Sequence, residues 1–412
     1  MDAQASPEPL GFRSFLLPEA HEAVVRRQRL ARLRAVMAAD ELPALVLFDS
    51  VNLRYACGAR NMQLNTGRNP SRFVFVPLEG PVVLFEYAGC GHLAAGLDTV
   101  DEVRPAPALH PIYAGSVKAR EHLARFVGEI RALLAAHAPG ATRLGLERAP
   151  LDAGPALADS GLQVVDATMT VERAKAVKSP EEVELVRASV RCTEAAVAHL
   201  ERELRPGRSE AAVWAELNRA LIAGGGEYVE TRLFNSGSHT NPWFQECSDK
   251  PIAAGELVCL DTDAIGAHGY FADFSRTFLA GEGKPSGHQR RLYGIAVEQL
   301  ETNVGLLKPW LAFREFAERA RQLPEEFLPN RYFLVAHGNG LAGEYPFIPY
   351  RCDWEATGQE GCFEPGMTIS LESFVGHPDG GEGVKLEEQV LITETGVERL
   401  STYGLDPRLA PT

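Results

Sequence analysis

The sequence predicts an α+β protein of two domains, on three observations. A chain of 412 residues exceeds what one hydrophobic core usually encloses. Over residues 20–170 short apolar runs alternate with helical stretches, the pattern of an α/β domain. Beyond a helix-start signal at Lys178–Glu182 the chain changes to longer strands that carry acidic residues among apolar ones.

Residues 1–19 read as a loose arm. In the following helix, to about Ala39, Val24, Val25, Leu30, Leu33 and Val36 recur at helical spacing. Apolar runs at 44–48, 73–77, 82–86 and 162–167 predict strands, with helix around 117–137, so the first domain spans 20–172. Ser179 as N-cap, Pro180 at the first helical position and Glu182 three residues after the cap open the next helix. Val183, Val186, Val190, Val197, Leu200 and Leu204 form its apolar stripe, which ends before Pro206-Gly207. A second helix runs from Ser209, with Val213, Leu217 and Leu221 on one face, until Gly224–Gly226 stops it. Strands are then expected at 257–263, 270–278, 331–336, 367–374 and 383–392, with helix over 288–322. The second domain accordingly spans 173–405.

A formal charge of -14 disfavours nucleic acid or an anionic membrane as partner, since both require a basic surface. The seven cysteines are scattered and never spaced as CxxC, which fits reduced thiols in a cytoplasm. No basic stretch followed by an apolar run opens the chain, and no segment approaches a membrane span. A soluble, cytoplasmic protein is expected.

The chemistry lies in acidic residues within strands. Asp261 and Asp263 are two apart and share one face of a strand. Gly266 and Gly269 permit a turn that returns Asp273 alongside them. His337 follows an apolar strand, and Glu372 and Glu387 lie inside ISLESF and VKLEEQVLI. Buried carboxylates in such number repel one another unless something cationic holds them ionised. Five carboxylates and one histidine suit two divalent cations, with Mn, Fe or Co favoured by the oxygen-rich set and Zn compatible. Arg276 and Lys385 read as ordinary strand-surface charges.

In this order of ligands the chain resembles the creatinase/prolidase/methionine-aminopeptidase superfamily, the pita-bread metalloenzymes. Gly269–Thr277 is similar to its GYxxDxTRT segment, and Gly366–Glu372 and Gly383–Glu388 to its two glutamate motifs. The resemblance implies an N-terminal creatinase-type α/β domain and a C-terminal pita-bread domain with a curved, mainly antiparallel sheet. It implies metal ligands at one or both of Asp261 and Asp263, then at Asp273, His337, Glu372 and Glu387, with Glu372 as general base. Asp261-Thr262-Asp263, Asn235–Cys247 and Gly58–Met62 look most like the dimethylsulfoniopropionate lyase branch, in which Tyr332 matches a substrate-contacting tyrosine. Two histidines of the family's peptidases are replaced here by Trp243-Phe244 and by Glu344, and Gly343 stands where the lyase branch carries an aspartate base. Glu344 or a metal-bound hydroxide is then the candidate replacement for that base. Trp243, Phe244 and Tyr332 are candidates for an aromatic wall that binds an onium group by cation–π contact. The expected enzyme is a dinuclear-metal lyase acting on a small carboxylate-bearing or zwitterionic molecule. The alternatives are an Xaa-Pro dipeptidase or aminopeptidase and, behind both, a metal-free binding module. A homodimer is implied by the family.

Overall fold

The computed structural model describes residues 13–410. The chain divides into two compact units, Pro18–Lys175 and a second that runs from Ala176 and includes the described residues up to Leu17. The break thus falls between Lys175 and Ala176, three residues beyond the expected one. Residues 13–17, expected within a loose arm, are held by the second unit. The Phe15 N–H donates to Gly224 O at 3.0 Å and the Leu17 N–H to His268 Nε2 at 2.7 Å. The rest of the expected arm, residues 1–12, lies outside the described residues.

The first unit holds one mixed sheet in the order β4-β3-β2-β1-β5-β6. Its strands are β1 (Ala44–Leu47), β2 (Phe73–Pro77), β3 (Val83–Glu86), β4 (Glu102–Pro105), β5 (Arg143–Glu147) and β6 (Gln163–Asp166). Phe48, Phe73, Phe75, Phe85 and Phe126 dominate its core. Sequence patterning missed β4, which is charged and largely exposed, and β5, which Gly145 interrupts. That glycine lets β5 lie beside β1, because a Cβ there would meet Leu45 Cδ2 at 2.3 Å.

The second unit opens with helices Pro180–Glu203 and Glu210–Ala223, capped as expected by Ser179 and Ser209, whose hydroxyls accept from the Glu182 and Ala212 N–H groups. Its strands are β7 (Tyr228–Val229), β8 (Phe234–Ser236), β9 (Leu257–Asp261), β10 (Ala264–Ile265), β11 (Phe271–Ala272), β12 (Ser275–Leu279), β13 (Ala336–Asn339), β14 (Gly343–Ile348), β15 (Thr368–Gly376), β16 (Gly383–Ile392) and β17 (Val397–Arg399). Among the described residues every pairing in this unit is antiparallel, in the orders β11-β10-β7, β12-β9-β8 and β14-β13-β15-β16-β17.

Three expected elements differ. The strands foreseen at 257–263 and 270–278 stop at Asp261 and break at Asp273-Phe274. The strand foreseen at 331–336 is a loop, with pairing starting at Ala336. The helix foreseen over 288–322 is two helices, Gly287–Leu306 and Phe313–Arg319, parted by a turn in which Trp310 has a φ of 67°. β14 was not foreseen because Pro346 argues against a strand interior; at the sheet edge the missing N–H is tolerated. No described helix is long and apolar enough to cross a membrane.

Alternation along β15 and β16 divides core from site. Ile369, Leu371 and Val375, with Val384, Leu386 and Val390, pack in one cluster with Leu292, Tyr293 and Leu300 of helix Gly287–Leu306. Glu372 and Glu387, directly opposite each other in register, point to the other face.

Candidate metal centre

On that face the strands gather all six sequence-predicted ligands into one environment. His337, at the start of β13, places Nε2 at 3.4 Å from Asp273 Oδ2, 3.5 Å from Glu372 Oε1 and 3.6 Å from Glu387 Oε1. Its Nδ1 lies 3.1 Å from Gly338 O, which only accepts, so Nδ1 carries the proton and Nε2 is left to face the carboxylates. Asp261 closes β9 opposite Ser275 of β12. Ser275 Oγ lies 2.7 Å from Asp261 Oδ1 and 2.9 Å from Glu387 Oε2. Asp263, just past β9, has a left-handed φ of 37°, which aspartate tolerates better than most residues, and Thr231 Oγ1 donates to its Oδ2 at 2.5 Å.

The organising cation is Lys385, and here the reading of a strand-surface charge is wrong. It is fully buried, and its Nζ lies 2.7 Å from Glu372 Oε2, 3.0 Å from Asp261 Oδ2 and 3.2 Å from Glu387 Oε2. Its place was legible from strand period: Lys385 stands two residues before Glu387 and so shares its face. Arg276 is equally buried. Its guanidinium donates to Glu387 O and Ser275 O and pairs with Glu388, so it clasps the strands from the opposite side.

Burial first, then neighbouring carboxylates, pushes Asp261 and Asp273 well above the usual carboxylate range in spite of Lys385 and His337 respectively, and burial pushes Asp263 up to about 6. Burial acts in the same sense on Glu387, but Lys385 and His337 overcome it and hold that carboxyl low. With His337 neutral, as a metal ligand must be, five carboxylates against one ammonium leave a formal charge of −4, which two divalent cations cancel. The donor set fits such ions. Asp273, His337 and Glu387 offer ligand atoms within 4.8 Å of one another, and Asp273 Oδ1 and Glu387 Oε1 are buried without a hydrogen-bond partner. Asp261 and Glu372 meet the same Lys385 Nζ as Glu387, and the charges of Glu387, Lys385 and Glu372 act on Asp263.

The remaining candidates divide. Trp243 and Tyr332 are buried beside the cluster, with their ring centroids 5.7 and 5.0 Å from Lys385 Nζ. Phe244 stacks on Tyr332 at 5.3 Å with more than half its surface exposed. Glu344 does not join the centre, contrary to its expected role as a base. It is buried, its Oε2 pairs with Lys178 Nζ at 3.1 Å and its Oε1 accepts from the Leu341 N–H at 2.8 Å. Gly343 beside it is open, with nothing within 4 Å of where a Cβ would stand.

Two outcomes follow from these charges. The three raised aspartates bind protons more tightly folded than unfolded, so their contribution to stability falls as pH rises from the ordinary 3.8 through the about 6 of Asp263. Divalent cations displace those protons and should reverse the slope. Melting curves of chelated and Mn-loaded protein between about pH 4 and 7 check this, and parallel pH profiles count against a filled centre. Lys385→Met should cost the chelated protein about 3–5 kcal/mol by leaving buried carboxylates unpaired. Denaturant unfolding reads that loss, and an unchanged midpoint contradicts the assignment of Lys385.

Comparison with known proteins agrees with this geometry. The Creatinase/Prolidase N-terminal domain matches residues 29–177 and Metallopeptidase family M24 matches residues 184–394. The chain is 35% identical over 390 residues to dimethylsulfoniopropionate lyase DddP of Roseovarius nubinhibens, covering 93% of this chain and 87% of that protein. It is 34% identical to the DddP of Roseobacter denitrificans, over 94% and 88% of the two chains. The structure of dipeptidase PepE from Mycobacterium ulcerans superposes with a TM-score of 0.73 at 24% identity, over 93% of this chain and 98% of that one, and shares the two-domain fold with its curved antiparallel sheet. The chain therefore belongs to metallopeptidase family M24, carries the creatinase/prolidase-type domain ahead of the catalytic one, and by that membership is an enzyme of divalent metal ions.

Proposed function

We propose that this enzyme is a dinuclear-metal lyase that eliminates the onium group of a small zwitterionic acid of the dimethylsulfoniopropionate type. One observation carries the reading: a cluster that recruits cations adjoins an aromatic wall, Tyr332 and Trp243, with rings 5.0 and 5.7 Å from Lys385 Nζ. Such a site is matched to a molecule with a carboxylate at one end and a soft cation or apolar group at the other. The likeness to the two DddP lyases over more than nine-tenths of the chain supports the same reading.

Asp261, Asp263, Asp273, His337, Glu372 and Glu387 would hold the ions, with Mn, Fe or Co favoured over Zn by the oxygen-rich donors. Bound divalent cations supply Lewis acidity toward the substrate carboxylate. In the elimination a base takes a proton from the carbon beside that carboxylate. The released pair forms the carbon–carbon double bond, and the bond to sulfur breaks with its electrons leaving on sulfur. Glu372 is the acceptor proposed for the proton, in reach of both His337 and Lys385. Tyr332, whose phenol burial and then Glu372 push far up, stays protonated and bounds the pocket.

Gly343 favours a second reading, hydrolysis of Xaa-Pro dipeptides with Glu372 as base toward water, because glycine supplies no base of its own. Incubation of metal-loaded enzyme with dimethylsulfoniopropionate, and separately with Xaa-Pro dipeptides, should release dimethyl sulfide and leave the dipeptides intact; the reverse result overturns the lyase. Since the space at Gly343 is open, Gly343→Asp should fold and raise dimethyl sulfide release about a hundredfold. Unchanged release in a folded variant rejects a missing base at this position.

A further inference from the structure

The break between β11 and β12 leaves Asp273 and Phe274 outside the regular ladder at the point where the chain delivers a ligand to the centre. Buried backbone groups released in this way need other partners. Polar side chains from three other segments provide them. Thr262, between Asp261 and Asp263, donates its hydroxyl to Ala272 O at 2.9 Å and accepts from the Phe274 N–H at 3.0 Å. Gln389 of β16 accepts from the Asp273 N–H at 3.2 Å and donates to Phe271 O at 3.3 Å. Ser370 of β15 donates to Asp273 O at 2.9 Å and is itself held by Asn339 Nδ2 at 2.6 Å. Thr262, Gln389, Ser370 and Asn339 are all fully buried. Both main-chain groups of Asp273 are thus satisfied by side chains in place of strand pairing, and its carboxylate is turned to His337 with Oδ1 free.

We propose that Thr262, Ser370 and Gln389 are positioning residues for the metal centre: they stand in for the missing sheet ladder and so fix the backbone from which Asp273 presents its carboxylate. The inference rests on the metal-centre reading above and gives a role to residues that are not themselves ligands. Thr262 matters most, since one hydroxyl bridges the two sides of the break, and valine has its shape without the donor or the acceptor. Ligands held loosely by their surroundings lose metal affinity, by about tenfold to a hundredfold.

Full-length wild type, Thr262→Val, Thr262→Ser and Ser370→Ala, each first chelated, are titrated with Mn2+ against a fluorescent chelator, and melting is recorded with and without the ion. Thr262→Val should bind at least about tenfold more weakly and lose much of the Mn-induced rise in melting temperature, and Ser370→Ala should do so to a smaller degree. Thr262→Ser, which keeps the hydroxyl, should recover wild-type affinity. A purely structural role for Thr262 would lower chelated and loaded melting temperatures alike and leave affinity unchanged; that result, or failure of serine to rescue, overturns the inference. If Thr262→Val does not fold, Ser370→Ala alone decides, and wild-type affinity in that variant overturns it. A wild-type chain that takes up no ion overturns the metal centre itself, and with it this inference.

Discussion

Mutual repulsion among buried carboxylates is the constraint around which the second unit is built. At about 5 Å and an effective dielectric near 20, each like-charge pair costs about 3 kcal/mol, so five such groups on one face would outweigh the stability of an ordinary domain. Lys385 answers part of that cost from within, by meeting Asp261, Glu372 and Glu387 at once. What it leaves is a deficit of positive charge sized for divalent ions, in a place where water cannot supply the screening. Metal binding and folding are consequently linked in this unit: each ion taken up replaces protons that burial would otherwise force onto the aspartates.

Strand alternation makes the arrangement compatible with a stable core. The odd residues of β15 and the even ones of β16 seal one face against helix Gly287–Leu306, and this packing supplies the rigidity that the polar face lacks. Arg276 sits between the two demands. By donating to the carbonyls of Ser275 and Glu387 and pairing with Glu388, it ties β12 to β16, so that Lys385 and Glu387 meet Asp261 in fixed register. A buried guanidinium is well suited to this task because its planar donors reach several acceptors at once.

Most of this was legible in the sequence where chemistry and period coincide. The ligands stand out as charged residues in apolar strands, and the helix that opens the second unit announces itself through Ser179, Pro180 and Glu182. Elsewhere tertiary context overrides local pattern. Tyr332 and Phe333 look like a strand because they are aromatic, yet they lie in a loop, where Tyr332 stacks with Phe244. Glu344 looked like a free acid, and only the fold brings Lys178, far away in sequence, to neutralise it. The break at Asp273 is invisible to any periodicity, because the groups that repair it come from Thr262, Ser370 and Gln389 on other segments.

The same electrostatics orients a substrate. Lys385 faces the rings of Trp243 and Tyr332 while pairing with Asp261, Glu372 and Glu387, so a cationic head on those rings meets a like charge and the carboxylates that neutralise it. An aromatic face adds about 0.5–1 kcal/mol for an exposed onium. On the proposed reading the inner end of the site takes the carboxylate, drawn toward the cations, and the aromatic side takes the onium. Phe244 has its surface turned to solvent and is stacked on Tyr332, so it offers the aromatic face farther from Lys385. In the proposed lyase a zwitterion would enter acid first, its positive end trailing against Phe244, and this would place the proton beside the carboxylate, rather than the onium, next to Glu372.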